Sequence, residues 1–146
     1  MEDTKSTLEA RATRYRQLLQ DEGYAVMAPD WKEETLPWMM RLRYEGVTMF
    51  FLFDAEDPSF VRLILPNFFE TEHGPTEQVF TALERTNNSC KGAKIYLNAD
   101  AENVMSSVEL LDDGTAASAV MLLRYLAMLL NGAKHFAREM QAASGA

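Results

Sequence analysis

The stretch MMRLRYEGVTMFFLFDAEDPSFVRLILP, residues 39–66, limits the possible folds of this chain more than any other part. Met39–Tyr44 alternates, with Met40, Leu42 and Tyr44 on one face and Arg41 and Arg43 on the other, which is the period of a half-buried strand. Glu45-Gly46 is a tight hairpin signal, and Val47–Phe53 follows as a second strand. Asp54-Ala55-Glu56-Asp57-Pro58 turns the chain, and Phe60–Leu65 is a third strand closed by Pro66. Connections this short suit antiparallel neighbours, so the stretch predicts a meander.

Helical periodicity brackets the meander. Ser6-Thr7-Leu8-Glu9 has the form of a capping box and predicts a helix starting near Ser6. Leu8, Ala12, Tyr15 and Leu19 make its apolar face, flanked by Arg11, Arg14 and Arg16, and Gly23 suits the left-handed position after its end. Tyr24–Ala28 reads as a short strand closed by Pro29. Pro75 is placed to be the first residue of a short helix carrying Val79, Phe80 and Leu83, ending near Asn87-Asn88. Lys94–Asn98 and Val104–Leu110 are two further strands around the acidic turn Asp100–Asn103. Asp112-Asp113-Gly114-Thr115 then opens a long helix reaching about Ala142, with its acids at the positive end.

The resulting order is α-β-β-β-α-β-β-α, an α+β domain with an antiparallel sheet and helices packed on one side. A length of 146 residues fits a single domain, 1–146, and 47% hydrophobic with 25% charged residues describes a globular chain. A net charge of −8 without a Lys/Arg run argues against nucleic acid and against anionic membrane surfaces. The acidic start MEDTKSTLEA reads as neither a signal nor a transit peptide, and AVMLLRYLAMLL is too short for a membrane span. One cysteine suits a reducing compartment, so the expected location is cytoplasmic.

Chemistry-bearing residues are sparse. Cys90, in RTNNSCKGAKIYL, follows a helix C-terminus, the dipole end that disfavours a thiolate. That stretch also runs from helix to strand, the reverse of a phosphate loop, and lacks the glycines of one. Asp54/Glu56/Asp57, Asp100/Glu102 and Asp112/Asp113 sit where turns or a helix start favour Asp, without a calcium-loop pattern. His73 and His135 lack partners at triad spacing. No enzyme activity, metal or cofactor is expected.

Apolar excess is the stronger signal. Val47–Phe53 is apolar on both faces except at Thr48, and the last helix is apolar around most of its first half. Nine methionines suit adaptable apolar surfaces. Met49, Phe50, Phe51, Leu52, Leu122, Met128 and Leu129 are therefore the candidate contacts for a second copy or a partner protein. A second reading, from a different class, is a small-molecule binder or enzyme with a pocket between sheet and last helix. Tyr15, Tyr96, Arg124 and Tyr125 would supply its polar groups.

The element order resembles the class I type III secretion chaperones. The segments TALERTNN, KIYLNADAENVMSSVELL, GTAASAVMLLRYLAMLL and the meander above look more specifically like the YbjN family, which shares that fold and is often labelled a bacterial sensory-transduction regulator. The resemblance implies a non-enzymatic, cytosolic homodimer, chaperone-like or regulatory, that holds a segment of an unidentified partner protein on an apolar helix and sheet surface.

Overall fold

A computed structural model describes residues 2–29, 38–72, 74–115 and 118–144. His73 lies outside these residues. The elements are α1 (Glu2–Asp21), β1 (Trp38–Tyr44), β2 (Val47–Phe53), β3 (Phe60–Glu70), α2 (Glu77–Ser89), β4 (Lys94–Leu97), β5 (Asn103–Leu111) and α3 (Ala119–Ser144). This is the expected α+β order, with the helices on one side of a five-stranded antiparallel sheet ordered β1-β2-β3-β5-β4. The chain forms two compact units, Met1–Leu63 with Glu109–Leu126, and Ile64–Val108 with Ala127–Ala146.

In the first unit, β1 and β2 pair from Trp38↔Phe53 to Tyr44↔Val47. Glu45 and Gly46 both take positive φ, +49° and +78°, as the two-residue turn that matches strand twist requires. Alternation sends Met40, Leu42, Met49, Phe51 and Phe53 into the core. There they meet α1 through Leu8, Ala12, Tyr15 and Leu19, all fully buried, with the Tyr15 ring 5.4 Å from that of Phe51. The strand expected at Tyr24–Ala28 is reduced to one bridge, Val26↔Leu42, joined by hydrogen bonds from Met27 N to Arg41 O (2.9 Å) and Arg43 N to Ala25 O (3.0 Å). Arg16 Nε donates to Val26 O (3.1 Å), which ties this segment to α1.

The second unit is built on β4, β5 and the later part of α3. β4 pairs with β5 from Lys94↔Ser107 to Leu97↔Val104. Phe136 of α3 packs edge-on against Phe68 and Phe69, and Ser106 Oγ donates to Leu129 O (3.2 Å). Gly132 lets the helix approach closely. A Cβ there would stand 2.7 Å from Ile95 Cδ1 and 3.2 Å from Ala93 Cβ.

Several local expectations change. Helix α1 begins upstream of Ser6, so Ser6 is an exposed helical residue and Glu9 pairs with Lys5 (3.9 Å) instead of capping. Helix α2 starts at Glu77, after Thr76, whose side chain accepts from Val79 N (3.3 Å), rather than at Pro75. Strand β3 runs through Pro66. Asn67 takes φ +49° and the burial alternation slips at Leu63-Ile64-Leu65, the kind of break that lets an interior strand hold a proline.

The boundary at RTNNSCKGAKIYL also moves. Helix α2 continues to Ser89, Cys90 caps it in an extended conformation, and Gly92 supplies the positive φ (+74°). Asn87 does not stop the helix. Its side-chain amide donates to Ile95 O and accepts from Ile95 N, both at 2.8 Å, so it acts as a substitute strand on the outer side of edge strand β4. Asn87→Ala strands both backbone groups and is expected to cost about 1–3 kcal/mol. Denaturant titration gives the loss, and faster exchange of the Ile95 amide locates it. Unchanged exchange at Ile95 would refute the assigned role.

Candidate functional sites: an uncovered sheet face and an arginine cleft

Four of the seven expected contact residues are core. Met49 and Phe51 point at α1, and Leu122 and Leu129 are fully buried on α3, so these four present nothing to a partner. The reason is strand geometry: adjacent residues of β2 face opposite sides, and α1 covers only one of them. Phe50, Leu52 and Met128 remain half-buried.

Phe50 and Leu52 belong to the other face of the sheet in the first unit. Across the β1–β2 ladder they sit opposite Arg41 and Met39, and Arg43 sits opposite Thr48. On the neighbouring strands the same face carries Phe60 and Arg62 of β3 and Glu109 and Leu111 of β5, with Arg62 bridged to Glu109 at 3.1 Å. Met39 is 50% and Leu111 73% exposed. Among the described residues of this unit, no helix covers the face. Arg62 is held by Glu109 and lies over the Phe60 ring (5.7 Å to its centre). Arg43 donates to Gly46 O at 2.8 Å. Arg41 is exposed in the middle of β1, and no hydrogen bond or ion pair involves its side chain among the described residues. Three arginines against one glutamate make this face basic in a chain of net charge −8.

The second site is a cleft of about 300 Å³ lined by Thr7, Ala10, Arg11 and Arg14 of α1 and by Asp112, Asp113 and Gly114. Asp112-Asp113-Gly114-Thr115 is not the start of the last helix, which begins at Ala119. Gly114 has φ +101° and so breaks any helix here. Asp112, 1% exposed, lies at the centre of a polar cluster instead. It accepts from the Tyr15 hydroxyl and from Gly114 N (2.7 Å), its Oδ2 lies 3.9 Å from Arg11 Nε, and its own N–H donates to Ser59 O (2.7 Å). Arg11, 7% exposed, also donates to Pro58 O. Arg14 donates to Gly114 O (2.7 Å) at the rim. Burial, then the hydrogen bond and the negative charge of Asp112, hold the Tyr15 hydroxyl protonated well above the ordinary tyrosine range. Asp113 is exposed, and its carboxyl is held below the usual range by hydrogen bonds from Thr115.

Of the four expected pocket groups, only Tyr15 is near this cleft, through Asp112. Tyr96, half-buried on β4 beside Lys94, does not line it, nor do Arg124 and Tyr125 of α3. The remaining acids have local partners: Asp54 accepts from Glu56 N (2.8 Å) and Asp57 from Ser59 Oγ (2.9 Å). Among the described residues, no three His, Cys, Asp or Glu side chains converge as metal ligands would. No helix among them is long and apolar enough to cross a membrane.

Burial pushes the Cys90 thiol up, against a smaller opposing pull from Arg138. Cys90→Ser is accordingly expected to change stability by less than about 1 kcal/mol, by the rule for sites outside the core and its polar clusters. It should leave self-association unchanged, as read by thermal unfolding and sedimentation. A large effect would give the thiol a role that its surroundings do not suggest.

The fold defines the class, a three-helix α+β domain on an antiparallel sheet. No family model matches the chain, and no curated protein matches it. A solved structure described as an uncharacterized protein from Methanothermobacter thermautotrophicus is similar, with a TM-score of 0.66 and 12% sequence identity over 90% of this chain and 96% of that one. At that identity the likeness concerns the fold alone.

Proposed function

We propose that this chain is a non-enzymatic, homodimeric protein-binding domain, chaperone-like or regulatory, acting in the cytoplasm in the manner of the YbjN and secretion-chaperone group it resembles. The observation behind this reading is the uncovered sheet face of the first unit, where Met39, Phe50, Leu52, Phe60 and Leu111 are accessible without a covering helix among the described residues. Open sheet faces with this apolar content are ordinarily buried against something. Neighbouring positions 50 and 51 give an internal control, because Phe51 is fully buried. A benzophenone amino acid at position 50 should crosslink to a second polypeptide in cells, and one at position 51 should not. Crosslinking at neither position, or only to a second copy of the chain, overturns the partner reading. Sedimentation that gives a monomer at all concentrations overturns the dimer.

The arginine cleft favours a second reading, a binder of small anions. Millimolar inorganic phosphate or citrate should then raise the unfolding temperature of the wild type and not of Arg14→Ala, since a ligand of the native state must stabilise it.

A further inference from the structure

We propose that the uncovered face takes an acidic amphipathic helix of a partner protein, an inference that rests on the protein-binding reading above. Three features of the face select this occupant.

The first is charge. Among the described residues the Arg41 side chain has no hydrogen-bond or ion-pair partner beside Met39, Phe50 and Leu52, and Arg43 and Arg62 extend the positive row. A carboxylate placed there gains a charge-assisted hydrogen bond, and a cation meets repulsion. The second is the unfavourable alternative of self-pairing. Two copies joined through this face would bring two sets of three arginines together with one glutamate from each side. The homodimer therefore uses another surface, and this face is left for a different polypeptide.

The third feature concerns the edge of the sheet. A partner strand would need free backbone groups on the outer side of β1, but those of Arg41 and Arg43 are engaged by Met27 and Ala25. Addition of a strand is thus blocked at these positions, and binding must use the side chains of the face. An exposed antiparallel sheet face is the surface that a helix covers with an apolar stripe, as α1 does on the opposite side of these strands. Leucines of the incoming helix would bury against Phe50, Leu52 and Phe60, with flanking carboxylates meeting Arg41 and Arg43.

The test uses the full chain and fluorescein-labelled helical peptides of about 18 residues, five turns long. Each carries the same leucine stripe, flanked by glutamate, glutamine or lysine, and anisotropy is read at low and high salt. The glutamate peptide should bind at least about tenfold more tightly than the glutamine peptide, which corresponds to 1.4 kcal/mol. Salt should weaken it. Arg41→Glu should remove that preference and transfer it to the lysine peptide, with thermal unfolding unchanged. Equal binding of the glutamate and glutamine peptides overturns the charge inference. The protein-binding reading then still stands or falls separately, on the crosslinks at positions 50 and 51. Crosslinking at position 50 without binding of any peptide overturns the helical occupant. Tighter binding of a labelled oligothymidylate than of the glutamate peptide assigns the face to single-stranded nucleic acid and overturns the proposal.

Discussion

Asp112→Ala should destabilise the protein by about 3–5 kcal/mol, because it removes one partner of a buried ion pair and leaves the other buried. Arg11, 7% exposed, would keep only its bond to Pro58 O, and the Tyr15 hydroxyl would lose its acceptor in the core. Of a total stability ordinarily about 5–15 kcal/mol, such a loss is large enough to unfold a marginal domain. Denaturant unfolding measures it, and a loss below about 1 kcal/mol would show that the cluster is not a tie. The double substitution Arg11→Met/Asp112→Ala should cost less than Asp112→Ala alone, since it leaves no charge behind. The same cluster predicts a pH dependence. The folded-state proton affinity of Tyr15 is raised, so its contribution is fully present below the ordinary tyrosine value, about 10, and is lost as pH rises beyond it. Tyr15→Phe should flatten that alkaline decline.

Phe136→Ala should cost a comparable amount, about 3–5 kcal/mol, through lost transfer energy and the cavity left behind. Phe136 is fully buried on α3, with its ring 5.8 and 5.2 Å from those of Phe68 and Phe69. Those two residues follow Asn67, where β3 departs from its regular pleat, so the aromatic trio fixes the irregular end of the strand to the helix. Phe136→Leu should recover part of the loss, because it fills much of the volume without the edge-on ring contacts. Chemical denaturation of both variants provides the check, and equal stability of Phe136→Ala and wild type would place the ring outside the core.

Local chemistry explains what could be read from the sequence. The first hairpin, β1 and β2, appears where it is expected because alternation and the Glu45-Gly46 turn are short-range constraints that each residue satisfies with its neighbours. The apolar face of α1 and the positive φ of Gly23 (+91°) follow from the same kind of rule. The two sites were less legible. Arg41 and Arg43 stood out as the polar side of a strand, but alternation cannot say whether the Phe50 side or the Phe51 side of β2 receives a helix, since both are apolar. The burial of Asp112 is hidden because an acid before a long apolar run looks like a helix start. Its buried role depends on Tyr15 and Arg11, about a hundred residues earlier in the chain. The role of Asn87 is hidden in the same way, since asparagine at a helix end suggests a turn.

The sequence by itself determined the order of elements, the antiparallel pairing of the hairpins and the apolar side of α1. Periodicity and turn chemistry act over a few residues, so a local pattern contains them. Only the tertiary structure decided that Asp112 is buried against Arg11 and Tyr15, that Asn87 closes the edge of β4, and that Phe50 and Arg41 lie on a face that no helix covers among the described residues, while Phe51 lies in the core. Each of these depends on which distant segment arrives beside a side chain. Desolvation and pairing energies arise only after that meeting, so no local pattern encodes them.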